Sequence, residues 1–150
     1  MYTGLLHLHN LLRYVVLILL ILAIVQSFAG WFLKKSYDKK HNKVSLFLLI
    51  TSHLQLIIGL ILYFISPVVI AARDNFGEAM KNVELRFWAV EHISSMILAI
   101  ALITIGRIMA KKGKADLIKF RRQAIYFFLA LILIFNAIPW PWSAVARAWF

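Results

Sequence analysis

LLRYVVLILLILAIVQSFAGWFL, Leu11–Leu33, is the stretch that decides the fold class. At ~1.5 Å per helical residue it is long enough to cross a hydrocarbon core of ~30 Å. Arg13 is its one charged residue, close to its start. It lacks a basic leader and an Ala-x-Ala cleavage site, so it is expected to remain as a span rather than to be removed. Working outward, three further apolar runs follow at Val44–Ile65, Phe87–Met109 and about Gln123–Ile138. The first could begin as early as Leu5, and the second could continue past Pro67 to Ala72. The expected fold is therefore all-α: a four-transmembrane-helix bundle forming one integral membrane domain over residues 1–150.

Composition agrees with that reading. Apolar residues make up 63% of the chain, and the mean hydropathy is +0.83. A soluble domain of 150 residues has too little interior to hide so much apolar surface, whereas a bilayer solvates it from outside. There is no cysteine, which removes disulfides, thiolate metal sites and Cys-ligated iron–sulfur clusters. The five histidines are then the only good nitrogen ligands.

The net charge of +11 is concentrated in two blocks. Lys34–Lys43 carries five lysines against Asp38, and Lys111–Arg122 carries six basic residues against Asp116. Between them, Arg73–Arg86 holds three basic and three acidic residues. Topology explains this pattern better than a nucleic-acid surface, which spreads its basic residues over a folded face. The positive-inside rule puts both basic loops in the cytoplasm and both termini on the outer, periplasmic side, as in a bacterial inner membrane. Trp31, Phe32 and Phe120 are expected at the inner boundary. Phe87, Trp88, Trp140, Trp142, Trp149 and Phe150 are expected at the outer one. Pro139 and Pro141 end the fourth helix, because proline cannot donate the helical hydrogen bond.

Polar groups deep in lipid are costly and mark candidate sites. They are His7, His9 and Arg13 in the first span, His53 and Gln55 in the second, Glu91 and His92 in the third, and Asn136 in the fourth. His9 and Arg13 share a helical face, and His7 points elsewhere. His92 shares a face with Ser95, Ala99 and Gly106, and Gln55 with Gly59, small-residue stripes that admit a neighbouring helix or a flat ligand. Such a slot suits a porphyrin, with an imidazole for the iron and Arg13 for the propionates. Glu91 could orient an imidazole or move a proton. Structural alternatives stand beside these roles: His7 and His9 as interfacial groups, His53 bonded to a backbone carbonyl across the bundle, Glu91 paired with Arg86 or Arg13, and Asn136 as interhelical glue. Counting residues from the basic blocks puts His53 and His92 at heights differing by about 7–13 Å, and His9 and His92 by a little more. Height alone thus selects no ligand pair.

HLHNLLRY (His7–Tyr14), SHLQLIIGLILY (Ser52–Tyr63) and EHISSMILAIALITIGR (Glu91–Arg107) resemble a small four-helix b-type cytochrome, and loosely one half of a haem A synthase. The resemblance covers the first three helices and implies haem b, with His53 and His92 as axial ligands of the iron, His9 as the substitute and Arg13 as the propionate partner. It also implies electron transfer, with a quinone or other respiratory subunits as partners. Two other functions remain open from the residues. One is a haem-free structural or assembly protein. The other is an outer-face metal-binding protein using His7, His9, Glu91 or His92 with nitrogen and oxygen ligands. The small-residue stripes would also permit a homodimer.

Overall fold

The computed structural model describes residues 1–145, which are helical and contain no strand. Trp149 and Phe150, expected at the outer boundary, lie outside the described residues. The long helices are α1 (Tyr2–Phe32), α2 (Lys39–Ile65), α6 (His92–Lys111) and α7 (Asp116–Ala137). Between α2 and α6 the chain forms α3 (Pro67–Asp74), α4 (Phe76–Ala79), α5 (Val83–Arg86) and a π-helical turn, Phe87–Glu91. Three stretches are long and apolar enough to cross a membrane: Tyr2–Phe32, Lys39–Ile65 and Val83–Lys111. The fourth expected span corresponds to α7, whose first two turns carry Asp116, Lys119, Arg121 and Arg122.

Local chemistry sets the boundaries. After α1, Lys34 adopts a left-handed conformation (φ 51°). The Lys35 N–H then bonds back to the Gly30 carbonyl, closing off that helix end. Asp38 starts α2 by accepting the backbone N–H groups of Lys40 and His41 at 2.9 and 3.1 Å, which would otherwise be unpaired at a helix start. Its carboxyl is held below its ordinary pKa, chiefly by the hydrogen bond from the His41 N–H. The Ser66–Pro67 step breaks the apolar run that could have continued to Ala72. Proline is tolerated in a first turn, so a separate helix begins there. Asn75 and Asn82 cap α4 and α5 through the N–H groups of Glu78 and Leu85. These short helices fold over a small core of Ala72, Ala79 and Ala89, with Met80 and Leu85 packed against it.

The principal core lies between the long helices. Val16, Leu20, Ala23 and Ile24 of α1 meet Leu48 of α2, Ala99 and Ile103 of α6, and Phe127, Ala130 and Ile134 of α7. Close approach of α6 and α7 depends on Gly106, where a Cβ would stand 2.6 Å from Cβ of Tyr126 and 3.1 Å from the Phe127 ring. Large apolar residues also face outward on every long helix. Ile18, Phe47, Phe64, Leu98 and Phe135 are all more than 50% exposed. Such a surface suits hydrocarbon rather than water.

At the lysine-rich end, polar groups tie the helices together. Ser27 of α1 donates to Oε1 of Gln123 of α7 at 3.4 Å, and Gln123 donates to the Tyr37 hydroxyl at 2.9 Å. The buried Arg107 guanidinium donates to the Asn42 carbonyl at 3.0 Å and to the Ser45 hydroxyl.

Candidate functional site

At the opposite end the long helices part around a cavity of about 150 Å³, partly open to the outside. His9 and Arg13 come to it from α1, Gln55 and Gly59 from α2, Trp88 from the π turn and His92 from α6. Most of the remaining lining is apolar, including Leu17, Leu56, Met96 and Ile134.

Two imidazoles meet here. The ring centroids of His9 and His92 lie 6.5 Å apart, with planes inclined at 61°. The π turn prepares this arrangement: the His92 N–H bonds to the Phe87 carbonyl five residues back. The extra residue in the turn shifts the helical face on which His92 emerges. The Tyr63 hydroxyl donates to the carbonyl of Ala89 within the same turn, at 3.0 Å. His92 Nδ1 is 2.8 Å from the Ala137 carbonyl of α7. A carbonyl only accepts, so Nδ1 is the donor in this bond. Phe87 and Trp88 pack against the ring at centroid distances of 5.8 and 5.4 Å.

His9 is held differently. Its Nδ1 is buried and, among the described residues, has no hydrogen-bond partner. The edge of the ring faces α2 at Gly59, where a Cβ would stand 3.1 Å from Cε1 and 3.7 Å from Nδ1 of His9. Glycine leaves the space that the imidazole fills. Gln55, one turn earlier on the same face of α2, donates through Nε2 to the His9 backbone carbonyl at 2.9 Å. Its Oε1 is likewise buried without a partner among the described residues.

Arg13 lies one turn below His9, lines the cavity and donates to the Tyr14 hydroxyl at 3.2 Å. The other residues singled out from sequence do not converge. His53 is exposed, and its Nδ1 sits 2.8 Å from the Leu49 carbonyl of its own helix rather than across the bundle. His53 therefore does not reach the cavity beside His92, whereas His9 does. His7 is exposed. Glu91 is exposed and forms an ion pair with Arg86 at 2.6 Å, while Arg86 also donates to the Met80 carbonyl at 3.1 Å. Asn136 is exposed and donates to the Ile132 carbonyl of its own helix, and among the described residues it links no two helices. Among the described residues no three His, Asp or Glu side chains come together as a metal cluster.

The expected height difference between His9 and His92 is absent. Counting from the basic blocks assumed that both helices start from one plane. With the histidines side by side, about 35 Å of α1 and about 29 Å of α6 run from that level to the lysine-rich end.

Trp88 and Tyr63 are the contributors that sequence reasoning passed over as site residues. The available signals were the four-residue spacing of Trp88 to His92 and of Gly59 to Tyr63 along their helical faces. Comparison of the chain with protein-family models, curated proteins and solved structures finds no match.

Proposed function

We propose that the chain is an integral membrane protein that binds haem b between His9 and His92 and serves electron transfer. On this reading α1, α2, the Val83–Lys111 stretch and α7 all cross the bilayer. Both termini lie outside and the basic loops lie in the cytoplasm, as in a bacterial inner membrane. The observation that carries it is the pair of imidazoles that α1 and α6 bring side by side, inclined at 61°. Rings on opposite sides of one metal ion, at typical metal–nitrogen distances of ~2.0–2.1 Å, stand with centroids roughly 6 Å apart. The pair here is at 6.5 Å.

The surroundings fit the same role. The Ala137 carbonyl accepts from His92 Nδ1, the kind of hydrogen bond that orients a metal-binding imidazole. Arg13 would neutralise a propionate, and the apolar lining would exclude water. In size, a cavity of about 150 Å³ holds a benzene-sized group. A porphyrin is larger, so this reading has its edge passing through the open part of the cavity towards lipid. A bound haem supplies one-electron chemistry at its iron, and ligation by two imidazoles leaves no open position for oxygen. Electron exchange with a quinol or another respiratory subunit follows more naturally than substrate turnover.

Absorption spectra of the detergent-purified protein, oxidised and then reduced, test the proposal. A Soret band that shifts on reduction is expected, unchanged in His53→Ala. Protein that stays free of porphyrin after haem supplementation would overturn it. A second reading draws on the bond from His92 to Ala137, which also cross-links α6 and α7. In a haem-free structural protein His92→Ala would lower thermal stability and alter no spectrum.

A further inference from the structure

Two buried polar atoms in the cavity have no hydrogen-bond partner among the described residues: Nδ1 of His9 and Oε1 of Gln55. They are complementary, since an imidazole nitrogen can carry a proton and an amide oxygen can only accept one. They are also neighbours. The Gln55 amide is anchored beside His9 through its other end, by the 2.9 Å bond from Nε2 to the His9 carbonyl. The Nδ1–Cε1 edge of the His9 ring faces α2 at Gly59, and Gln55 and Gly59, four residues apart, occupy one face of that helix.

We infer that Gln55 is the positioning residue for His9, its Oε1 accepting the proton on Nδ1 so that Nε2 is presented to the iron. This rests on the haem reading of the same cavity. The two ligands would then be set by parallel means, His92 by the Ala137 backbone carbonyl and His9 by a side-chain amide. Making the bond requires the His9 ring to turn from its place against Gly59 towards Gln55. A backbone carbonyl cannot be exchanged by mutation, whereas Gln55 can. The protein's reduction potential is therefore adjustable from the His9 side, since acceptors on metal-bound histidines set the basicity of the ligand.

The test compares Gln55→Leu and Gln55→Glu with the wild-type protein, each purified with haem, by haem-release titration and spectroelectrochemical potential. Loss of the acceptor in Gln55→Leu should weaken haem retention by about 10–100-fold, the range seen when a hydrogen-bond partner of a metal-bound histidine is removed. The stronger carboxylate acceptor in Gln55→Glu should keep haem and lower the midpoint potential. Should Gln55→Leu fail to fold, the shift in Gln55→Glu decides alone. Wild-type retention in Gln55→Leu, or an unchanged potential in Gln55→Glu, would overturn the assignment while leaving the haem site standing. Wild-type protein without haem would remove both.

Discussion

At the scale of single residues, burial and helical phase decide which histidines can act. Ser45, Leu48, Ser52 and Leu62 are the buried positions of α2, and Gln55 and Gly59 continue that face into the cavity. His53 lies ~100° around the helix from Ser52, at 3.6 residues per turn, and so faces out. In the sequence His53 and His92 look alike, each a histidine in an apolar run. What separates them is phase relative to partners on other helices, and the partner of His92 is a carbonyl of α7, 45 residues away. The candidate residues were thus legible one by one, but their pairing was not. Asp38 supports a separate prediction. Its folded-state pKa lies below the ordinary value of 3.8, so its stabilising effect is complete above that value and fades as pH falls through the depressed one. Asp38→Ala should speed hydrogen exchange at the Lys40 and His41 amides at neutral pH. At a pH below the depressed pKa, wild type and variant should exchange alike. Equal rates at neutral pH would show that the cap contributes nothing.

At the scale of elements, hydropathy located each long helix, because a run of some twenty apolar residues permits little else, but α1 begins at Tyr2 and α7 at Asp116, well before Leu11 and Gln123. Their exact ends were less legible. Lys39–Val44 extends α2 through a charged stretch because Asp38 supplies a cap, and Ser66–Pro67 halts it within apolar sequence. The π turn at Phe87–Glu91 left no trace in the apolar pattern, since it is fixed by contacts such as Tyr63 to Ala89. Gly106, by contrast, was visible as part of a small-residue stripe with His92 and Ala99, and the structure puts it against Tyr126 and Phe127. Gly106→Ala should force α6 and α7 apart and destabilise the fold by about 1–3 kcal/mol, as overpacking does in well-filled interiors. A thermal midpoint equal to wild type in detergent would contradict that.

At the scale of the whole molecule, charge and hydropathy are separated along the bundle. Both lysine-rich blocks lie at one end, and the cavity with its two imidazoles lies at the other. The neutral segment Arg73–Arg86 is built from short capped helices, with Arg86 joining Glu91 and Met80. If the basic end faces the cytoplasm, residues in the two loops should differ in accessibility. The chain has no cysteine of its own, so single substitutions report cleanly. Lys35→Cys and Lys112→Cys should resist a membrane-impermeant thiol reagent in intact cells, and Lys81→Cys should react. The opposite pattern would invert the topology. The central claim, iron held between His9 and His92, is tested most directly by low-temperature EPR of the oxidised, haem-loaded protein. The expected result is a low-spin signal of bis-imidazole iron, retained in His53→Ala and lost or converted to high spin in both His9→Ala and His92→Ala. A low-spin signal that survives either of the last two substitutions would contradict it.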